Sequence, residues 1–503
     1  MFSREKSEHR DLIPGAKPIL ALLALAISAF LIFQNLGAPA IRQWDEAIYA
    51  NNALDMYHTG DPIVLRRSGE VTLYNTKPPM GIWLQTICLH IFGVNEFAIR
   101  FPSAMAGVLT CIMLLIFSVK TLKDIRIGIV SMLVLCTSYG FVKQHVVKTG
   151  DLDAMLVMWT TFYTLLFLHL LLAGQEKQRA LIIWTGIGVI GAFLAKGIAG
   201  FVPLAGILIC AIVERKLKWI LTRKETYIIA LVGILITVGY YMLRESLAPG
   251  YLSRTLKIDF GRFTTDYMAW HHHPWYYYIR NWYALEFFTP YIFWLPIAVV
   301  TGFLIPKYRK AVLLLTIQVV VFIALFSYPK VKLMWYDAPA YPLLSLICAI
   351  GFIALWDAVQ TRIDMRPMLS HMVFGITLLL IFAIPVKDMY KRNADLYLPA
   401  DQLEREGFFI RELKRTRPEL KNYKVLMLAE QNAHFTQLDF YLNAYNRHMG
   451  YDLQHLRDTT EVHAGDTIAV CQEEQMAWLE RNFQLELIRE NQTGCLLVKV
   501  LND

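Results

Sequence analysis

Charge is scarce in this 503-residue chain: Asp, Glu, Lys and Arg together make 18% of it, against 56% apolar residues. A soluble protein of this length needs far more polar surface, and the positive mean hydropathy agrees, so composition points to a polytopic membrane protein. No two of the seven cysteines (Cys88, Cys111, Cys136, Cys210, Cys348, Cys471 and Cys495) share a Cys-x-x-Cys spacing, which leaves no zinc-ribbon signature. Most lie in apolar runs as small hydrophobic residues. Only Cys471 and Cys495 fall in a polar region, where a disulfide is open to them. There is no internal repeat, no low-complexity tract and, in the polar C-terminal part, no glycine-rich phosphate loop. The formal charge of +8 is no nucleic-acid signal, because the basic residues sit in short clusters between apolar runs, as loop charges of membrane proteins do. The N-terminal apolar run is too long for a signal-peptide core and lacks a clear small-x-small cleavage site, so it reads as a retained span.

Apolar runs near the ~20 residues that cross a bilayer cover 18–36, 103–119, 126–142, 152–173, 180–195, 197–213, 226–243, 283–304, 311–327, 338–356 and 369–386. Arg4, Lys6, Arg10 and Lys17 precede the first run, and Lys120, Lys123 and Arg126 follow the second. Later basic clusters are Lys177 and Arg179; Arg215 to Lys224; Lys307, Arg309 and Lys310; and Arg362 and Arg366. Every alternate loop is basic, which assigns that side to the cytoplasm. If the apolar segment Met80 to Phe92 also crossed, the later clusters would face outward. It is therefore expected to lie along the interface as an amphipathic helix. The Asp45–Arg100 loop, the 244–282 loop, the 328–337 loop and everything after 386 then share the outer side.

From Lys387 the chain becomes polar. Helical patterns over 402–414, 435–443 and 473–482 alternate with strand-like 424–429, 467–471 and a 485–501 pair turning at Gln492-Thr493-Gly494. The expected organisation is a transmembrane domain, 1–386, with about 11 helices and a loop near 37–102 as its functional centre, followed by a small α/β domain, 387–503.

Three motifs occur in order in that loop. Gln43-Trp44-Asp45-Glu46 places two carboxylates just past the first span. Tyr74-Asn75-Thr76-Lys77-Pro78-Pro79 sets one lysine before two prolines that forbid helix ahead of them and permit one after. Phe92-Gly93-Val94-Asn95-Glu96-Phe97-Ala98-Ile99-Arg100-Phe101-Pro102-Ser103 leads into the second span. Lys148 and Asp151-Leu152-Asp153 stand at the start of the fourth span; an acidic first turn is ordinary helix chemistry, which accounts for one of the two aspartates. Lys330 and Lys332 precede Trp335-Tyr336, and Ala338-Pro339-Ala340-Tyr341-Pro342 opens a late span. His271-His272-His273 sits in an aromatic belt, and consecutive histidines rarely converge on one ion in a regular element.

This order of motifs resembles the aminoarabinose transferases of lipid A and the wider protein O-mannosyltransferase-like superfamily, membrane glycosyltransferases of the GT-C type. The resemblance covers about residues 40 to 345 and implies a sugar moved, with inversion, from a polyprenyl-phosphate carrier to a glycolipid or protein acceptor outside the cytoplasm. It implies Asp45 as catalytic base, Glu46 beside it, Asp153 as second acidic site, Lys77 and Lys148 toward donor phosphate, and His271, Tyr336 and Tyr341 near the substrate. Lys330 and Lys332 match a basic segment that could also face the phosphate, or be snorkelling lysines. Lys196-Gly197 resembles a family turn and reads as structural or lipid-facing. One departure is Thr76, where many relatives have Glu before Lys-Pro-Pro. That substitution removes a ligand from any metal site, so no metal or other cofactor is expected to be required. A lipid-linked-sugar flippase would place its charges near mid-membrane in broken helices, and a bare scaffold gives no reason for acid and base to gather in the outer loops. The expected setting is the bacterial inner membrane, with a polyprenyl-phosphate sugar, an acceptor and membrane lipid as partners, and no nucleic acid.

Overall fold

The computed structural model describes residues 16–173, 178–264, 268–286, 289–363, 367–395, 399, 402–428 and 435–502. Expectations that rest on Arg4, Lys6, Arg10, Lys177, Arg366 and Ala429 lie outside the described residues.

Each predicted apolar run has a helical counterpart: Ala16–Phe33, Glu96–Lys120, Ile125–Cys136, Asp153–Leu172, Gln178–Lys196, Pro203–Val213, Lys224–Leu247, Thr289–Leu304, Pro306–Ser327, Tyr341–Gln360 and Pro367–Asp395. Among the described residues, seven helices are long and apolar enough to cross a membrane. The fold is the mainly α-helical polytopic one that composition implies. One run departs usefully from expectation. The sequence predicts a span over 126–142, yet the helix stops at Cys136, where the Thr137 and Ser138 hydroxyls donate back to the Leu133 and Val134 carbonyls at 2.6 Å each. Residues 137–152 then form an irregular, mostly buried segment that delivers His145, Lys148 and Asp151 to one end of the helical bundle.

The Met80–Phe92 helix is a second departure. It has 13 residues, about 20 Å at 1.5 Å per residue, and ends at Gly93 with φ 77°. Its buried side carries Ile82, Gln85 and Leu89, while Leu84, Ile87 and Ile91 are exposed beside His90, so its exposed face is not the polar one of an amphipathic helix.

The C-terminal part folds around a five-stranded sheet. After a short hairpin in the first loop, β1 (Arg66–Arg67) and β2 (Glu70–Val71), come β3 (Asn422–Leu426), β4 (Asp452–Leu456), β5 (Thr467–Val470), β6 (Gln484–Glu490) and β7 (Leu496–Asn502). Their order is β4-β3-β5-β7-β6, with β3 parallel to β4 and β5, and β7 antiparallel to β5 and β6. Helices Arg405–Thr416, Thr436–Met449 and Glu473–Asn482 fall where the periodicity puts them. β4 carried no clear strand signal, because Asp452-Leu453-Gln454-His455-Leu456 buries only Leu453 and Leu456. Cys471 and Cys495 are joined as a disulfide.

Candidate active site

Asp45 is the first residue of the Asp45–Thr59 helix, and Tyr49 follows one turn later on the same face. Both line a cavity of about 250 Å³, together with Lys77, Asp153, Lys196, Asp259, Arg262 and Tyr336. Burial and the neighbouring Asp151 carboxylate push the Asp45 carboxyl above the ordinary aspartate range.

Lys77 enters from the loop before the two prolines. The Asn75 Oδ1 accepts the Lys77 backbone N–H at 3.1 Å, Tyr251 donates its hydroxyl to the Thr76 carbonyl at 2.8 Å, and Tyr240 reaches the Lys77 carbonyl at 3.4 Å. The Lys77 ammonium then meets Asp259 Oδ1 at 2.5 Å. Burial still holds its pKa below the usual lysine range, although Asp259 opposes the shift. Asp153 opens its helix and is ion-paired with Lys196. Tyr336 is a shared platform: its ring lies 5.6 Å from the Lys196 ammonium and 5.3 Å from the Arg262 guanidinium. The Arg262 Nε has no hydrogen-bond partner among the described residues. Three cations and three carboxylates thus face one cavity, with two of the cations in ion pairs.

The structure therefore brings Asp45, Lys77, Asp153 and Tyr336 together, and places the other sequence candidates elsewhere. Glu46 is 1% exposed and turns inward. Its carboxylate accepts Arg100 Nε at 2.6 Å and Nη2 at 2.8 Å, plus the backbone N–H groups of Arg42 and Gly150 at 2.7 Å each. Lys148 donates to the Leu31, Ile32 and Gln34 carbonyls, satisfying the end of the first helix; burial and Arg100 lower its pKa to about 7. Lys332 is buried and bonds the His273 and Pro329 carbonyls, while its backbone N–H takes the His271 carbonyl. Lys332 thus pins the histidine loop to the 329–332 segment. Lys330 is exposed and, like His271, is not among the cavity residues. Tyr341 is buried with its hydroxyl on Asp337 Oδ2 at 3.2 Å.

Five important residues were not chosen from sequence: Lys196, Asp259, Arg262, His145 and Asp151. Lys196 is not lipid-facing: it is buried and pairs with Asp153 at the cavity. Asp259 and Arg262 lie three apart on the Tyr251–Thr264 helix, a charged spacing on one helix face that was there to be found in the 244–282 loop. Asp151 and His145 lie behind Asp45, and the carboxylate oxygens and imidazole nitrogen of the three fall within 4.8 Å of one another. Such a set could hold a divalent cation. As placed, His145 Nδ1 faces Asp151 Oδ1 at 3.3 Å, and a shared proton can serve in its stead. Burial opposes a charge on His145, but Asp151 and Asp45 carry its pKa above the ordinary value.

Residues 76–241 match the family described as dolichyl-phosphate-mannose-protein mannosyltransferase. An undecaprenyl phosphate-alpha-4-amino-4-deoxy-L-arabinose arabinosyl transferase of Pectobacterium carotovorum is 26% identical over 377 residues, 73% of this chain and 65% of that one. The match thus spans just under two thirds of that relative's length. The crystal structure of ArnT from Cupriavidus metallidurans bound to undecaprenyl phosphate superimposes with a TM-score of 0.67 at 15% identity, over 96% of this chain and 98% of that one. The archaeal oligosaccharyltransferase AglB from Archaeoglobus fulgidus, in complex with an inhibitory peptide and a dolichol-phosphate, gives 0.55 at 13% identity, over 97% and 74%.

Proposed function

We propose, for a chain that resembles the lipid A aminoarabinose transferase and protein O-mannosyltransferase superfamily and has its GT-C fold, that it transfers a sugar from a polyprenyl-phosphate donor to a lipid A-like glycolipid or a protein. One observation carries the proposal: a single cavity gathers Asp45, Lys77 and Asp153 from three separate stretches of chain, ringed by two further cations. The undecaprenyl phosphate named for the similar transferases supports the donor class.

In such a transfer the bond from the sugar's anomeric carbon to the donor phosphate breaks as the acceptor oxygen bonds that carbon from the opposite face, with inversion. The leaving group becomes a phosphate monoester, more negative than the diester it came from. Arg262, which lines the cavity beside the Tyr336 ring, and Lys77 are the groups to meet that charge; Lys77 must first yield or share its contact with Asp259. Arginine offers two parallel donors where lysine offers a point charge. Asp45 takes the proton of an acceptor hydroxyl, and its raised pKa brings it nearer the range useful to a base. If the acceptor is a lipid A phosphate, already anionic, Asp45 instead orients it. Asp153 and Lys196 hold each other and set the polarity of the floor.

The cavity end of the bundle is taken as extracytoplasmic, in the bacterial inner membrane, with residues 387–503 as a domain on the same side; the alternate basic loops and the Cys471–Cys495 disulfide support this. The test is mass spectrometry of lipid A, glycolipids and glycoproteins from cells with and without the gene. The expected outcome is one hexose- or pentose-sized mass lost from one class of molecule. Unchanged glycans in all three classes would refute it.

A further inference from the structure

The residue before Asp45 is in a conformation that L-residues avoid: Trp44 has φ 70° and ψ −122°. Such strain persists only where surrounding structure over-determines the backbone. Here the chain just before Trp44 is bonded to the C-terminal region. The Ile41 N–H donates to the Tyr441 hydroxyl oxygen at 2.8 Å, and the Ile41 carbonyl accepts from the Gln437 side chain. The Gln43 N–H donates to Glu404 Oε1 at 3.0 Å, and Gln43 Oε1 accepts the Gln437 N–H at 3.0 Å. Between them the Arg42 guanidinium pairs with Glu404 Oε2 at 2.7 Å. Glu404, Gln437 and Tyr441 are all buried. On the far side of Trp44, Glu46 is fixed by Arg100 and by the Arg42 and Gly150 N–H groups. Trp44 is thus a short link between two ends that are each held by several hydrogen bonds.

We propose that Glu404, Gln437 and Tyr441 are positioning residues for transfer: the C-terminal region holds 41–43 so that the backbone must turn through the strained Trp44 and present Asp45 to the cavity. This rests on Asp45 being the group that engages the acceptor. Released from those bonds, residue 44 relaxes toward a negative φ, a rotation of roughly 100° or more that re-aims the helix start. Displacing a reacting group by 1 Å can cost up to about a hundredfold in rate, and loosening one of the bonds that hold 41–43 should cost less than releasing them all.

Gln437→Ala and Glu404→Gln, each made in the natural chain and in a Trp44→Gly chain, test this in full-length protein in lipid nanodiscs. Glycine adopts positive φ without steric cost, so the Gly-bearing chain needs the clamp less. Hydrogen exchange of the 40–50 peptide requires no substrate; turnover is read with the donor and acceptor that the glycan analysis identifies. With Trp44, Gln437→Ala should raise exchange at 41–48 and lower kcat about tenfold with donor KM changed less than about twofold. With Trp44→Gly, the same substitution should cost less than about threefold. Equal kcat losses in both backgrounds, unchanged exchange, or a loss explained by less folded protein would overturn the proposal. Normal turnover by Asp45→Asn would instead overturn the role of Asp45, and with it the link to transfer, whatever the exchange shows.

Discussion

Asp45 and Glu46 are neighbours of the same charge, yet their surroundings give them opposite work. Glu46 accepts four N–H donors and binds three segments together, whereas Asp45 faces the cavity. Asp45→Asn keeps shape without basicity, so transfer should fall on the order of a hundredfold or more while donor binding persists; steady-state turnover and a donor-binding assay read the two separately. Glu46→Gln leaves Arg100 buried without its counter-charge and should cost about 3–5 kcal/mol of stability, seen in thermal unfolding. Of the ten candidates that motif order offered, Asp45, Lys77, Asp153 and Tyr336 line the cavity, and the first three each stand at a break between apolar runs where charge needs a reason. Motif order could not find Asp259 and Arg262, because their place depends on how a later helix packs over the loop. Their arrival sharpens the question of what meets the donor phosphate. With Arg262 and Lys77 both at the cavity, activity should survive EDTA, Lys77→Ala should weaken donor use severely, and Lys77→Arg should recover part of it. Loss of activity in EDTA, restored by manganese or magnesium, would move the role to an ion held by Asp45, His145 and Asp151.

Helices were the legible elements, since a run of about 20 apolar residues has few other uses. What was not legible was where a helix stops inside its apolar run, as at Cys136, because Thr137 and Ser138 are apolar enough in context to be read through. Nor could hydropathy show how closely helices approach. A Cβ on Gly351 would stand 2.3 Å from the Cα of Ala298, backbone against backbone between the Tyr341–Gln360 and Thr289–Leu304 helices. Gly351→Leu should therefore force the pair apart and destabilise the protein by about 1–3 kcal/mol in thermal unfolding. Gly375, with nothing among the described residues within 4 Å of an added Cβ, gives the control: Gly375→Leu should not lower the transition.

At the scale of the whole molecule, sidedness connects the basic loops, the cavity and the C-terminal sheet, and cysteine chemistry can test it. Cys471 at the end of β5 and Cys495 just before β7 are bonded to each other, while Cys88, Cys111, Cys136, Cys210 and Cys348 are free and buried. A disulfide persists in an oxidising compartment and is reduced in the bacterial cytoplasm. If the cavity end and the C-terminal region face outward, cells lysed directly into denaturant with a polymer-tagged maleimide should yield a protein carrying five adducts. After reduction first, it should carry seven, the full cysteine count of the chain. Seven adducts without reductant would place the C-terminal region in the cytoplasm, and with it the cavity, since Glu404, Gln437 and Tyr441 bond the same segment that opens into Asp45. That segment cannot lie on one side of a membrane while the residues that hold it lie on the other, so a single adduct count fixes the side of both.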